Sequence, residues 1–260
     1  MKGLIFAAGL GTRLRPVTDT RPKALVTIHG KTLLEYAVEK FVAAGITQIV
    51  INVHHFAGMI MDFVRERNGF GADISFSDES DLLRETGGGI RHAGPLLDGS
   101  GPFLVHNVDI LSNLDIAAMT RNGDGSALAT LLVSDRKTGR YLLFDAGGSL
   151  VAWMNVKSGE VRSPFAGLRR PPQENTAFDY EDFVASHGLA MHAFDGVHLI
   201  SPEIFGLMAQ WPERFSIIDF YLSVCDTHRI AAYMQPGLQI VDVGKPESLM
   251  EAESRFFPIR

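Results

Sequence analysis

One cysteine in 260 residues, Cys225, leaves no partner for an intramolecular disulfide and no multi-cysteine zinc or iron–sulfur site. Such usage fits a reducing compartment, and the thiol reads as a packing group. No run of about 18 uninterrupted apolar residues occurs, so no transmembrane helix is expected. The apolar stretch at residues 4–8 breaks at Gly9 and soon meets Arg13 and Arg15, too short for the core of a signal peptide. Positive charge is not in excess: 24 lysines and arginines stand against 30 aspartates and glutamates, a formal net charge of -6. General affinity for nucleic acid or an anionic membrane is therefore not expected, and a phosphate ligand must be gripped by a local arrangement. Internal repeats and low-complexity tracts are also missing. Together these absences predict a cytoplasmic protein.

What is present is ordinary globular composition, 46% hydrophobic and 21% charged, enough to bury a core in one domain over residues 1–260. The first 110 residues alternate two patterns. Residues 4–7 form the short continuous apolar run of a buried parallel strand, and residues 49–53 form a second. Between them Leu33, Leu34, Ala37, Val38, Phe41 and Val42 share one helical face, with Gly45 placed to end the helix. Met59, Ile60, Phe63 and Val64 repeat that spacing, residues 74–76 alternate like a strand, residues 88–97 open a further helix, and residues 103–106 form a strand ending just before Asp109.

Repeated units of this kind predict an α/β fold, a Rossmann-like domain whose mostly parallel central sheet is flanked by helices. Ligands of such sheets gather at the carboxyl ends of the strands, where the loops at 8–23, 84–89 and 107–112 fall. Beyond residue 125 strands are expected over 127–133, 141–144, 150–153 and 189–199, and helices around 202–209, 216–226 and 246–255. That half reads as an α+β extension supplying the walls of a second site. Residues 161–187, with Pro164, Pro171 and Pro172, read as a long surface excursion, a lid or a decoration.

The loop after the first strand, Ala8-Gly9-Leu10-Gly11-Thr12-Arg13-Leu14-Arg15-Pro16, carries two glycines, a hydroxyl and two guanidinium groups. Glycines let backbone N–H groups close on phosphate oxygens, and arginine supplies bidentate charge. Two familiar phosphate loops fail here. A dinucleotide fingerprint needs glycine where Leu14 stands and an acid ending the second strand, where Asn52, Val53 and His54 appear; a Walker loop needs Lys-Ser or Lys-Thr after its glycine. Downstream, Arg21-Pro22-Lys23 fixes the backbone ahead of a lysine able to hold its ammonium over the same phosphates.

On these residues the chain resembles the nucleotidyltransferase superfamily that makes nucleotide sugars. Its signature, Gly-x-Gly-Thr-Arg followed by Pro-Lys, stands here as Gly9-Leu10-Gly11-Thr12-Arg13 and Pro22-Lys23. The similarity continues through Glu85-Thr86-Gly87-Gly88-Gly89 and Asn107-Val108-Asp109 to Val241-Asp242-Val243-Gly244-Lys245-Pro246-Glu247. The nearest pattern is the short bacterial branch that includes N-acetylmuramate 1-phosphate uridylyltransferase and mannose-1-phosphate guanylyltransferase relatives.

The resemblance implies Mg²⁺-dependent transfer of a nucleotidyl group from a nucleoside triphosphate to a sugar 1-phosphate, releasing pyrophosphate. It implies a nucleotide-binding half over residues 1–125 and a sugar-phosphate half over 126–260. By the same resemblance Ala8, Gly9, Gly11 and Thr12 cradle the nucleotide, Arg13 reaches the departing phosphates, Lys23 sits near the α-phosphate and Gly87 lets the base and ribose approach. Asp109 and Asp242 would hold the magnesium, and Asn107, Asn155 and Gly196 would contact the sugar phosphate. Magnesium does prefer hard oxygen ligands, one or two carboxylates with phosphate oxygens and water. Nothing in the spacing itself brings the two acids together.

The chain departs from the family pattern at three places. Val108 stands where glycine is usual, Leu82 stands where many relatives carry an acid or amide that reads the base, and Trp153-Met154-Asn155 replaces the usual Glu-Lys-Pro segment. A sugar phosphate is already an anionic nucleophile, so no catalytic triad is needed and positioning with charge compensation should dominate. Two alternatives share the fold: a cytidylyltransferase acting on phosphocholine or a similar phosphorylated alcohol, whose site should be an acidic or aromatic cage, and a nucleotide-binding regulatory homologue with little turnover. His54, His55, His92, His106 and His198 show no zinc spacing, and Trp153 reads as core.

Overall fold

In the computed structural model, which describes residues 1–97, 99, 101–172 and 178–254, the apolar run near the N-terminus is β1 (Lys2–Phe6), with Leu4 and Ile5 fully buried. A short hairpin, β2 (Thr27–Ile28) and β3 (Lys31–Thr32), leads into α1 (Leu33–Ala43). Thr32 starts that helix with a capping box: its hydroxyl accepts Glu35 N–H at 3.1 Å, and the Glu35 carboxylate accepts Thr32 N–H at 2.8 Å. Leu33, Leu34, Ala37, Val38 and Phe41 are buried, as their spacing predicts.

The alternation continues with β4 (Gln48–Val53), α2 (Ala57–Glu66), β5 (Asp73–Asp78), α3 (Glu85–Leu97) and β6 (Phe103–Asn107). These strands lie in the order β6-β1-β4-β5, all parallel, so their carboxyl ends share one edge. Helix α3 starts at Glu85, three residues before the glycine expected to open it, because Glu85 itself takes a left-handed backbone with φ 60° and turns the chain there.

Next come β7 (Ile110–Ser112), α4 (Ile116–Asn122), β8 (Ala129–Ser134), β9 (Arg140–Phe144), β10 (Leu150–Asn155) and β11 (Glu160–Arg162). The chain then forms α5 (Tyr180–Ser186), β12 (Ala190–Ile200), α6 (Ile204–Leu207), α7 (Ile217–Val224), β13 (Ile230–Tyr233), β14 (Ile240–Asp242) and α8 (Pro246–Ser254). Strand β12 runs antiparallel to β6 and carries the sheet from the parallel strands into β9, β10 and β11, while β8 and β13 branch from it. The architecture is thus the expected α/β sheet flanked by helices, with an α+β extension built on β12.

The segment 161–187, expected as a long surface excursion, carries a short helix that packs on the extension. Tyr180, Phe183 and Val184 of α5 sit at i, i+3 and i+4 and pack, with Phe178 and Leu168, against Leu143, Val151, Met154 and Val161. The prolines and charges around them hide this short apolar face. Residues 173–177 of the segment lie outside the described residues. Cys225 is buried as a packing group, and burial pushes its thiol up to about 12. Among the described residues no helix is long and apolar enough to cross a membrane.

Candidate active site

Strand β1 ends at Phe6, in register with Asn52 of β4 on one side and Asn107 of β6 on the other, so the chain leaves the sheet between two amides. Asn52 accepts the backbone N–H groups of Ala7 at 2.7 Å and Ala8 at 3.2 Å, and its own amide donates to Glu79 Oε1 at 2.9 Å. Glu79 Oε2 accepts Arg84 N–H at 3.0 Å. Further along the loop Gly11 lies in the left-handed region at φ +64°, and a Cβ there would meet Thr18 Cγ2 at 2.9 Å. Thr18 donates its hydroxyl to Gly11 O at 2.8 Å, which pins the far side of the loop.

Pro22, at φ -68°, precedes a single tight turn over Lys23–Leu25. That turn places the buried Lys23 ammonium on Asp109 Oδ2 as an ion pair. Asp242 reaches the same place from the C-terminal half because β14 pairs with β7: Asp242 stands opposite Ile110, and Val243 N–H donates to Asp109 O at 2.8 Å. Burial pushes the Asp242 carboxyl upward, the Asp109 charge adds to that, and Lys23, Arg136 and Arg13 pull it back. Asp242 Oδ1 is buried without a hydrogen-bond partner. Arg13 lies across Gly244, where a Cβ would fall 2.8 Å from both Arg13 Nη2 and Asp242 Oδ1.

Beside them lies a cleft of about 530 Å³, which Ala8, Gly9, Gly11, Thr12, Arg13, Lys23, Asn107, Asp109 and Gly244 all line, while Asp242 is not itself in the lining and lies against Gly244. Ser216 also lines it, and equally lines a second cleft of about 300 Å³ built from Arg136, Arg140, Tyr141, Trp153 and Arg162 among others. Among the described residues no carboxylate lines this second cleft. Gly196 lies against Asn107 of the first cleft, at φ +71°, where a Cβ would fall 2.7 Å from Asn107 Nδ2.

Four of the expected site residues, Asp242, Gly196, Gly87 and Asn155, line neither cleft. Gly87 does not line the cleft: its N–H donates to Phe215 O at 2.9 Å, and its missing side chain makes room for the Phe215 ring rather than for a ligand. Asn155 lines neither cleft, since β10 pairs it with Arg140 and Glu160 while its amide oxygen accepts Lys157 N–H at 3.0 Å. Val108 needs no glycine, because its backbone is ordinary: its N–H donates to Phe6 O at 3.1 Å and its side chain joins the core. Leu82 contributes a carbonyl to Arg84 at 2.9 Å, and the neighbouring Leu83 lines the cleft.

Sequence reasoning missed Asn52, Glu79, Ser216 and the ion pair of Arg136 with the buried Asp195. An acid within the otherwise apolar stretch 190–200 was a usable signal for the last. Two of the histidines are built into the packing: His106 Nδ1 lies 2.7 Å from Asn107 O and His198 Nδ1 2.7 Å from the Tyr221 hydroxyl. Among the described residues no group of three or more His, Cys, Asp or Glu side chains could hold a metal by itself. The two carboxylates at Asp109 and Asp242 suit an ion that takes its other oxygens from a ligand.

Residues 2–141 match the model of the family described as Nucleotidyl transferase. The chain is 32% identical to an N-acetylmuramate alpha-1-phosphate uridylyltransferase of Caulobacter vibrioides, across 97% of this chain and 95% of the relative. It is 34% identical to a UTP--glucose-1-phosphate uridylyltransferase of Synechocystis sp., across 97% of this chain and 62% of that longer relative. Among solved structures, HddC from Yersinia pseudotuberculosis complexed with GMP-PN superposes with a TM-score of 0.72 at 22% identity, covering 98% of this chain and 99% of that one. With a family match over half its length and a relative aligned nearly end to end, the chain belongs to the nucleotidyl transferase family and is an enzyme of that class.

Proposed function

We propose that this enzyme transfers a nucleotidyl group from a nucleoside triphosphate to a sugar 1-phosphate, with Mg²⁺, and releases pyrophosphate. One observation carries the reading: the basic loop and Asp109 line a single cleft that shares Ser216 with a second, guanidinium-lined one, and β14 brings Asp242 to the edge of the first, against Gly244. Magnesium fits that edge, where Asp242 Oδ1 is buried and unpartnered and Val243 is bonded to the Asp109 backbone. Those two carboxylates would hold it, and when bound it neutralises charge building on the triphosphate.

The chain's own groups do the rest. The loop from Ala8 to Thr12, held open by Asn52 and Gly11, offers backbone N–H groups to the phosphates. Lys23 leaves Asp109 for the α-phosphate, whose charge would otherwise repel the incoming sugar phosphate, and Arg13 steadies the pyrophosphate as it departs. The acceptor, already an anion, needs no general base; the clefts meeting at Ser216 hold the two substrates end to end.

The second cleft also bears on the acceptor. It presents guanidinium groups, an aromatic ring and hydroxyls but no carboxylate, which disfavours a cationic alcohol such as choline and suits an acidic sugar. N-acetylmuramate, the acceptor in the name of the Caulobacter relative, is such an acid, and both sequence relatives are named as uridylyltransferases. UTP with an acidic sugar 1-phosphate is accordingly the proposed pair. The test is a matrix of nucleoside triphosphates against neutral and acidic sugar 1-phosphates, with Mg²⁺ or chelator, read by pyrophosphate release. Turnover only with metal, and fastest for UTP with the acidic sugar, is expected; equal turnover in chelator overturns the mechanism.

A further inference from the structure

Strand β12 buries an acid that its packing does not need. Ala193, Val197 and Ile200 are core residues, yet Asp195 among them is 0% exposed. Burying a carboxylate costs several kcal/mol unless it is paired, so a retained one calls for a reason. Its partner is Arg136, on the loop after β8: Nε donates to Asp195 Oδ1 at 2.6 Å, and Nη2 donates to Phe194 O at 2.9 Å. This leaves the two Nη1 protons and one on Nη2. Arg136 is one-third exposed and lines the second cleft, so donors remain on it for a ligand bound there.

The strand is distorted where this happens. Phe194 pairs with Val133 and His198 with Leu131, so the register slips between them, and Gly196 in the slip takes φ +71° against Asn107. Irregularities of this kind re-aim side chains beside active sites. The slip puts Asp195 behind Arg136 and Gly196 beside Asn107, which lines the first cleft. The other arginines are placed differently. Arg162 is committed to Asp219 at 2.6 Å and stacks over Trp153 at 4.0 Å, and Arg140 is exposed on β9.

We propose that Arg136 receives the phosphate of the acceptor sugar, and that Asp195 is the positioning residue that aims it from beneath. The proposal rests on the transferase reading above and assigns that reading a cation of its own on the acceptor side. It answers a need of the site: an acceptor phosphate must come close to Asp109 as well as the donor's α-phosphate, and Arg136, held on Asp195, lines the cleft that shares Ser216 with the first. A fixed guanidinium compensates this repulsion at less entropic cost than a free side chain.

Steady-state kinetics of the full chain with Mg²⁺ and its best substrate pair test it. Arg136→Gln should raise the acceptor KM about 10- to 100-fold while the nucleoside triphosphate KM stays within about 2-fold, the scale of a lost charge-assisted hydrogen bond. Asp195→Asn should raise the acceptor KM by less, and the double variant should be no worse than Arg136→Gln alone, because Asp195 acts through the arginine. Arg136→Lys should recover part of the loss. An unchanged acceptor KM in Arg136→Gln, or equal damage to both KM values, overturns the proposal and leaves the transferase reading standing. Should Asp195→Asn not fold, the Arg136 pair of variants decides alone. Wild-type protein inactive on every sugar 1-phosphate overturns both.

Discussion

Asn52 and Glu79 form a buried dyad beneath the glycine-rich loop, the amide donating to the carboxylate at 2.9 Å while its oxygen holds Ala7 and Ala8 by their N–H groups. The dyad converts a sheet edge into a fixed loop mouth: Glu79, fully buried, locks the amide orientation, and the amide sets the backbone. Asn52→Leu should thus cost about 2–4 kcal/mol, since it strands both two loop donors and a buried carboxylate. The nucleoside triphosphate KM should rise about tenfold, a loss of one such hydrogen bond's worth of positioning. Chemical denaturation and nucleotide saturation curves on one preparation check both. A variant as stable as the parent removes the dyad from the argument.

Gly244 gives a cleaner probe of the site because its backbone is not left-handed, so alanine adds a methyl group without dihedral strain. That methyl would fall 2.8 Å from Arg13 Nη2 and from Asp242 Oδ1. Arg13, the far end of a flexible side chain, yields first. Gly244→Ala should keep the fold and lower kcat about 10- to 100-fold, the scale of a misplaced positioning group. Thermal unfolding beside kcat is the check; wild-type kcat would mean that Arg13 does its work from elsewhere.

Lys23 pairs with the Asp109 carboxylate, so it competes with any cation for that oxygen. Lys23→Met should therefore bind Mn²⁺, a spectroscopic stand-in for Mg²⁺, at least as tightly as the parent in the absence of nucleotide. Turnover should nevertheless fall about 100- to 1000-fold, because the α-phosphate loses its fixed cation. Asp242→Ala should do the reverse to the metal, weakening Mn²⁺ binding together with turnover. Paramagnetic titration of both variants separates these. Weakened Mn²⁺ binding in Lys23→Met would contradict the competition.

The parallel strands were legible because residues 4–7, 49–53 and 103–106 are continuous apolar runs, and the loop motif marked one wall of the cleft. What the sequence hid has physical reasons. Asp109 and Asp242 meet through two three-residue strands, β7 and β14, and no periodicity is visible in segments that short. Gly87 carried a functional expectation through its motif, yet its size is dictated by Phe215, a contact between elements remote in sequence. Asn52 was noticed only as the absence of an acid, although a buried amide at a strand end has backbone donors as its natural partners. Arg136 and Asp195 are joined by a register slip that no single-strand pattern encodes.

The last prediction concerns the fold rather than the cleft. Burial pushes the His198 imidazole down to about 3 and that of His106 down to about 4, with the neighbouring Lys40 charge adding to the latter. Both are neutral in the native protein at pH values where an unfolded chain, with histidine near about 6.5, takes up protons. The unfolded state then binds more protons than the native one, so stability is held above about pH 6.5 and is lost on acidification towards the two depressed values. Each histidine contributes a slope approaching about 1.4 kcal/mol per pH unit. His198→Gln carries no titrating ring, and its unfolding free energy from urea curves between about pH 5.5 and 4.5 should fall less steeply than the parent's by about that amount. Tyr221, whose hydroxyl meets His198 at 2.7 Å, gives the control: Tyr221→Phe loses a hydrogen bond at every pH but keeps the steep slope. Parallel curves for parent and His198→Gln would place the acid sensitivity in the carboxylates instead.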